Sequence, residues 1–237
     1  PRTPKPLRFV IVRIKMKSFM LLPALAAADL LQGRGSFTGG VNATIDSVLT
    51  DNEWTIISDN HEKQLIDDAV ELSKAHDGVL AYNDGLMIKF ETARPKHLRL
   101  QVQTSYPDDM DPPGLEACNV RLTTVNDEGM VRSSIKMDAG DVLLYRMGLY
   151  SYHKLNFDDG SYKVKTDQWY DIDFLIDWDS EKQSVRMFVD GESSGKEDFF
   201  SAEVLGSRSL LLRRINSANA IMLYGLSPGG VSRFKNL

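Results

Sequence analysis

From Ser36 to the end of the chain, apolar residues recur in short alternating runs, and clusters of Gly, Asp, Asn and Pro separate these runs. Alternation with a period of two predicts β-strands that bury one face, and the clusters between them favour turns. No strand–helix–strand alternation follows, so the sequence predicts a mainly β protein, an antiparallel β-sandwich of the jelly-roll type. The first candidate strands cover residues 79–82, 86–91, 97–104, 118–125, 131–137, 142–147, 150–156 and 162–165.

Residues 62–75 depart from this pattern. Apolar residues recur there at the spacing of a helix, and Asp77 and Gly78 supply a stop signal. The sequence therefore predicts one short peripheral helix near residues 62–75, packed on the edge or end of the sandwich. Its apolar residues are Leu65, Ile66, Ala69, Val70 and Leu72.

The most informative segment is a predicted hairpin over residues 169–191. At a period of two, its first strand presents an apolar face, which predicts core, and a polar face, which predicts the outside of a sheet. Alternate residues from Val185 to Val189 continue the core face, and Asp190-Gly191 predicts the next turn. The core set is Tyr170, Ile172, Phe174, Ile176 and Trp178, and the outer set is Trp169, Asp171, Asp173, Leu175 and Asp177.

A Trp-Tyr pair that opens a strand, an Asp-containing turn and a strand that ends in Val-Asp-Gly resemble the hairpin of laminin-G-like and concanavalin A-like domains. Residues 167–191 carry this resemblance, and residues 229–237 echo it weakly. The resemblance implies a single domain over residues 36–237, built as two antiparallel sheets. It also implies a class of secreted or surface proteins that bind glycans or other proteins, sometimes through calcium. Hydrolases and lyases that act on polysaccharides share this fold, so the fold alone does not choose between binding and catalysis.

The candidate binding residues are acidic side chains of one strand face together with aromatic side chains. The aromatic residues are included because aromatic rings cover the apolar face of a sugar. They favour a module that binds glycan or an extracellular protein. A purely structural subunit of an extracellular assembly is an alternative, which a large exposed apolar patch would support. The candidates are Trp169, Asp171, Asp173, Tyr150 and Tyr152.

Catalysis is the other alternative. Asp171, Asp173 and Asp177 share one strand face and superficially resemble the acidic motif of laminarinase-like glycoside hydrolases. A retaining hydrolase needs two carboxyl groups about 5 Å apart, one of them protonated. The residue type and the spacing both differ from that family, so a solvated polar face is the favoured interpretation. An open groove with aromatic residues at its ends would favour the enzyme.

Two further features concern metal and thiol chemistry. Asp108, Asp109 and Asp111 form an acidic loop of the kind that holds calcium, with a simply solvated loop as the alternative. Cys118 is the only cysteine, which excludes an internal disulfide framework. Because it begins an alternating run, it is predicted to be a small buried residue instead of a reactive thiol.

The first 28 residues contain six basic residues and no acid, and they end in a short apolar run followed by alanines. This order predicts a secretory signal peptide cleaved after Ala26 or Ala28, with targeting to an organelle lumen as the alternative. The apolar run is about half of the ~20 residues that span a bilayer, so no transmembrane span is predicted. Asn42 begins an N-glycosylation sequon, Asn42-Ala43-Thr44.

The charge balance changes once this leader is removed. The whole chain has 28 basic and 33 acidic residues and a net charge of −5, whereas the remainder carries −11. Such an acidic protein is a poor partner for nucleic acid, and cations or neutral glycans suit it better. The sequence leaves the oligomeric state open.

Overall fold

The computed structural model of the chain describes residues 30–39, 43–57, 62–73, 85–105, 116–123, 129–136, 141–145, 152–154, 164–179, 184–198, 217–225 and 229–237. These residues include a short helix, α1 (Ile45–Asp51), and fourteen strands. The strands are β1 (Trp54–Ile56), β2 (Glu62–Ile66), β3 (Ala69–Ser73), β4 (Gly85–Ala93), β5 (His97–Ser105), β6 (Glu116–Thr123), β7 (Gly129–Lys136), β8 (Asp141–Tyr145), β9 (Tyr152–Lys154), β10 (Tyr170–Asp177), β11 (Ser184–Val189), β12 (Glu192–Asp198), β13 (Ala218–Tyr224) and β14 (Val231–Lys235).

The strands form two seven-stranded antiparallel sheets. The first sheet has the order β1-β4-β13-β6-β7-β8-β9, and the second sheet has the order β12-β11-β10-β5-β14-β3-β2. Strand β6 of the first sheet lies against β5 and β14 of the second, so the two sheets pack face to face. This arrangement confirms the predicted antiparallel β-sandwich.

The hydrophobic core lies between the sheets and takes one face from each. Phe174 and Phe234 of the second sheet and Ile88 and Leu122 of the first are fully buried in one continuous cluster. Leu31 also belongs to this cluster, although it precedes the predicted domain start at residue 36. The predicted core face of the 169–191 hairpin is confirmed, because its five apolar residues on β10 and the turn after it are all buried.

The helix predicted over residues 62–75 is wrong. Residues 62–73 form the hairpin of β2 and β3, whose turn is Asp67-Asp68, with Asp67 at a φ of 56°. The turn places Leu65 directly opposite Val70, so the same apolar residues that fit a helix also converge when the chain folds back on itself. Hairpin formation wins because it adds two strands to a sheet that buries Val70 and Leu72 completely.

Helix α1 lies earlier in the chain than predicted. Thr44 caps it: the Thr44 hydroxyl accepts from the Ser47 amide at 3.2 Å, and the Thr44 amide donates to the Ser47 hydroxyl at 3.1 Å. This reciprocal capping box satisfies two backbone donors at the helix start. Helix α1 is too short to show a clear apolar period in the sequence. Within the described ranges, no helix is long and apolar enough to cross a membrane.

The predicted strands between residues 86 and 147 correspond to β4 through β8, and the 150–156 prediction corresponds to the shorter β9. Residues 79–82 lie outside the described residues. Of the predicted strand at 162–165, Val164 and Lys165 are described, and neither is in a strand.

Candidate functional site

The predicted acidic face lies on the outside of the second sheet, where it meets basic side chains of β5. Arg99 donates from Nη2 to Asp171 Oδ2 at 3.1 Å, and its Nε lies 3.8 Å from Asp173 Oδ1. Gln101 donates to Asp171 at 2.8 Å, and His97 Nε2 lies 2.7 Å from Asp173 Oδ1. The register of β5 against β10 produces these contacts, because it pairs Asp171 with Gln101 and Asp173 with Arg99.

The same network continues across β14 to β3. Arg233 donates from Nε to Glu71 Oε2 and from Nη1 to Gln103 Oε1, each at 2.6 Å. Glu71 is 6% exposed and also accepts a hydrogen bond from Gln64. We call this set the second-sheet network: Gln64, Glu71, His97, Arg99, Gln101, Gln103, Asp171, Asp173 and Arg233.

The second-sheet network leaves little capacity for catalysis. Side chains of β5 contact both Asp171 and Asp173, whereas a glycosidase needs carboxyl groups that face the glycosidic bond of its substrate. Asp177 accepts from the amide of Asp179 at 3.2 Å and so stabilises the turn that follows β10. The three aspartates therefore each have a local structural role.

Trp169 lies beside this network and is covered in part by a lysine. The Nζ of Lys235 is 4.5 Å from the centre of the Trp169 ring and 3.3 Å from Asp68 Oδ1. A cation at this distance interacts favourably with the ring face. The contact occupies an aromatic surface that a sugar ring would otherwise use.

The structure does not bring all the predicted site residues together. Trp169, Asp171 and Asp173 belong to the second sheet or its approach, whereas Tyr152 lies on β9 of the first sheet. The remaining candidates lie outside the described residues: Tyr150, the acidic loop at Asp108, Asp109 and Asp111, and the sequon residue Asn42. In the described part of the chain, no cluster of His, Cys, Asp and Glu suits a metal ion.

The outer face of the first sheet has a different character. Met222 and Tyr224 on β13 point away from the main core, yet they are buried and pack with Met87 and Ile57 in a small separate cluster. On β6, Val120 and Leu122 face the main core, so alternation places Asn119, Arg121 and Thr123 on the outer face. Asn119 is paired with Tyr224 and Arg121 with Met222.

A β-bulge in β6 separates this outer face from the interior. Between Ala117 and Val120 the register against β7 shifts by one residue, and Cys118 adopts a φ of 48°. Bulges of this kind redirect the neighbouring side chains and are frequent near functional sites. Asn119, the next residue, is thereby held on the outer face opposite Tyr224.

Cys118 itself belongs to the inside of the sandwich. Its amide donates to the Ser232 hydroxyl at 2.9 Å, and its thiol donates to the carbonyl of Gln103 at 3.0 Å. Both partners belong to the second sheet, so Cys118 ties the two sheets together. Burial raises the pKa of the Cys118 thiol to about 12. The prediction of a small buried residue is confirmed.

Asn119 carries an unsatisfied amide. Asn119 is 0% exposed, and neither its side-chain oxygen nor its side-chain nitrogen has a hydrogen-bond partner among the residues that the structure describes. A buried polar group without a partner costs about 1–3 kcal/mol, and such groups in native proteins call for an explanation such as a ligand or an ordered water. Nothing in the sequence marks Asn119, because its environment depends on the bulge and on β13, roughly a hundred residues later.

A single row of residues crosses the outer face of the first sheet through Arg121. Arg121 is paired with Arg132 on β7, which in turn is paired with Tyr145 on β8. Residues paired directly across antiparallel strands share a face of the sheet. Among the residues whose side chains the structure describes, the row consists of Thr55, Met87, Met222 and Arg121.

We call this surface the first-sheet face: Asn119, Arg121 and Thr123 of β6, with Tyr224 of β13 beside Asn119. It combines amide, guanidinium and phenol groups at neighbouring strand positions. Amides and guanidinium groups bind hydroxyl and acidic groups, and tyrosines offer apolar ring faces. The first-sheet face is therefore the candidate site.

Comparison with known structures identifies other β-sandwich proteins. A sialidase matches 82% of this chain at 13% identity and a TM-score of 0.56, although the match spans only 17% of that sialidase. The Caenorhabditis elegans galectin LEC-6 matches 66% of this chain and 94% of its own length at 12% identity, with a TM-score of 0.38. β-Agarase A in complex with oligoagarose matches 77% of this chain and 82% of its own at 9% identity, with a TM-score of 0.41.

Identities this low show the fold alone. No protein-family model matches the sequence, and no curated protein sequence matches it. The chain therefore shares the predicted β-sandwich fold with the matched sialidase, and the concanavalin A-like and laminin-G-like assignments stay predictions.

Proposed function

We propose that the protein is a glycan-binding β-sandwich module and that the first-sheet face is its binding surface. The observation that carries the proposal is the buried amide of Asn119, which lacks a partner at both its donor and its acceptor. A sugar hydroxyl both donates and accepts hydrogen bonds, so one hydroxyl group can satisfy either atom of this amide.

The neighbours of Asn119 suit the same ligand. Arg121 lies two residues along β6 on the same face, about 6.6–7 Å away between α-carbons, and Tyr224 of β13 is paired directly with Asn119. Tyrosine rings cover the apolar face of a sugar while their hydroxyls stay hydrogen-bonded. Because both amide atoms of Asn119 are enclosed, binding requires that the side chains packed on this face move aside.

The fold gives weaker support. Part of a sialidase, a protein that acts on glycans, shares the sandwich of this chain. A fold hosts many functions, however, so the proposal of a binding surface rests on the first-sheet face and not on the fold.

The two alternatives have less support. A hydrolase would need two carboxyl groups that face its substrate, and Arg99 of the second-sheet network contacts both Asp171 and Asp173. A structural subunit would need a broad apolar surface, and among the described residues the exposed large hydrophobic is Ile56, at 42%. One residue does not make such a patch.

We also propose that the protein is secreted. The basic, apolar and alanine-rich order of the first 28 residues supports secretion, and Asn42 supports glycosylation there. A calcium role for Asp108, Asp109 and Asp111 is a separate proposal. It predicts that a chelator weakens glycan binding.

A glycan array tests the function. The wild-type protein, Asn119→Leu and the control Gln101→Leu are applied with calcium and with a chelator. We expect binding by the wild type and the control, and loss of binding by Asn119→Leu, because leucine fills the same space without donor or acceptor. Gln101 is a matched amide on the other sheet, where it donates to Asp171. Absence of wild-type binding in both conditions would contradict the proposal, as would binding by Asn119→Leu at the wild-type level.

A further inference from the structure

We infer that the first-sheet face binds the end of a glycan chain and not its interior. The inference rests on the proposed function and names the form of glycan that the Asn119 amide can reach. It starts from how completely the face is closed around that amide. Asn119 is 0% exposed, and the amide lacks a partner within the described residues at both its donor and its acceptor.

The outward positions around Asn119 are nearly all buried. On β6, Thr123 is 1% exposed, and Arg121 between them is partly exposed. A pocket that encloses its ligand buries most of the ligand's surface, whereas a groove that carries a long chain must stay open at both ends. The first-sheet face is thus of the enclosing kind. The outward residues of the adjacent strand β13 are all 3% exposed or less: Ala220, Met222 and Tyr224.

The side towards β4 is closed by an apolar wall. Met222 and Tyr224 form this wall and pack with Met87 and Ile57. Gly85 of β4 lies directly opposite Tyr224, and a Cβ atom at Gly85 would lie 2.7 Å from the Tyr224 Cβ. Because Gly85 has no side chain, Tyr224 lies close against the backbone of β4. A glycan chain that crossed the sheet over the amide would therefore have to pass through this wall.

The path along β6 is closed as well. In one direction, Thr123 is buried about 13 Å from Asn119, four residues along the strand. In the other direction, Ala117 and Cys118 are buried at the bulge. Buried positions thus lie beyond the amide in both directions. A ligand that reaches the amide enters and leaves by the same route, as the end of a chain does.

The chemistry of the amide suits a terminal sugar. A sugar inside a chain is linked at both ends, so enclosing it requires two exits. A terminal sugar is linked at one end only and offers an additional free hydroxyl group. The side-chain amide of Asn119 both donates and accepts hydrogen bonds, so neighbouring hydroxyls of one terminal ring satisfy it. The apolar face of that ring then lies against the wall.

Titration calorimetry with chains of different length tests the inference on the wild-type protein. The probes are maltotriose, laminaritriose and galactotriose, each with two longer soluble fractions of the same polymer, one twice the length of the other. We expect one bound protein per chain at every length, because every chain offers one end of the bound type. Interior binding would instead raise the number of proteins per chain as the chain lengthens.

Modified trisaccharides identify the end that is bound. Each trisaccharide is prepared in two further forms, one methylated on the hydroxyls of the non-reducing terminal ring and one reduced to the open alditol at the other end. We expect one of these changes to weaken binding roughly 100-fold or more, because a site that hydrogen-bonds a hydroxyl group rejects a ligand without it. The other change should have little effect.

A variant of the wall adds a second readout. Met222→Ala makes room beside the amide and should reduce the discrimination against the modified end roughly 10-fold or more. Met187→Ala is the matched control, because Met187 is a buried methionine of the second sheet and faces the main core. It should leave the discrimination unchanged. Circular dichroism and thermal melting verify that both variants are folded, and the wild-type titrations decide the question if either is not.

The outcomes separate the inference from the function on which it rests. Equal binding of the intact and both modified forms overturns the inference and leaves glycan binding intact. A number of bound proteins that rises with chain length does the same, as does unchanged discrimination in folded Met222→Ala. Failure of every intact probe to bind the wild type overturns both. One protein per chain at every length, together with discrimination against one modified end, supports both.

Discussion

On the outer face of the second sheet, Arg99 and Arg233 lie opposite carboxylates, whereas on the outer face of the first sheet the buried Asn119 lies opposite Tyr224. The amides differ in the same way. Gln101 and Gln103 have partners at 2.8 Å or less, whereas the Asn119 amide has none at either atom. Both faces are polar, but their groups are paired to different extents.

The difference shows where binding capacity lies. Polar groups that satisfy one another stabilise the sheet and offer little to a ligand, because a ligand must replace bonds that already exist. Unsatisfied polar groups cost stability and gain by binding. A stability cost that is retained at one surface is a common property of functional sites.

The largest expected effect concerns the second-sheet network. Glu71→Ala leaves Arg233 without its carboxylate in a nearly buried position, and should lower the free energy of unfolding by about 3 kcal/mol. Urea denaturation measures the change. Glu71→Gln, which keeps an acceptor, should lose less. A loss below about 1 kcal/mol for the alanine variant would mean that the network is not structural.

The next effect concerns Cys118, which lies on the first sheet and forms hydrogen bonds to Ser232 and Gln103 of the second sheet. Its folded pKa of about 12 exceeds the ordinary value of 9.0, so the folded state retains a proton that the unfolded state loses. The contribution of the protonated Cys118 thiol to the free energy of unfolding is fully present below pH 9 and declines as the pH rises from 9 towards 12. Relative to Cys118→Ala, the wild type should lose about 1.4 kcal/mol by pH 10. If the stability of the wild type and of Cys118→Ala changed equally between pH 9 and pH 12, the Cys118 thiol would be open to water and the prediction would be wrong.

A smaller effect of opposite sign is expected on the first-sheet face. Asn119→Leu removes an unsatisfied amide at nearly constant volume and should raise the free energy of unfolding by about 1 kcal/mol. Gln101→Leu, the matched change on the second sheet, breaks hydrogen bonds to Asp171 and Asn236 and should lower it. If Asn119→Leu destabilises the protein as much as Gln101→Leu does, the contrast between the two faces fails.

The sequence predicted what depends on neighbours along the chain. The core face of β10 and the turn at Asp190-Gly191 follow from a local period of two, and both are confirmed. The helix prediction at residues 62–75 failed because the apolar spacing there fits either a helix or a hairpin, and a pairing partner distant in sequence decided between them. Strand β14, which pairs with β3, lies about 160 residues later.

The sites required information that one sequence does not contain. The sequence predicted that Asp171 and Asp173 could bind a ligand. In the structure they contact Arg99 and His97 of β5, which lies in an earlier part of the chain. The position of Asn119 and Arg121 on the outer face depends on the bulge at Cys118, where the register against β7 shifts by one residue. A shift of one residue reverses the faces of a strand, so spacing alone could not place these side chains.

Hydrogen–deuterium exchange with the tightest-binding trisaccharide tests most directly whether the first-sheet face is the binding surface. Slowed exchange of backbone amides in β6 and β13, which carry Asn119, Arg121 and Tyr224, is the expected result, with β5 and β10 unchanged. Protection confined to β5 and β10, around Asp171 and Asp173, would contradict the account and return the binding site to the second sheet.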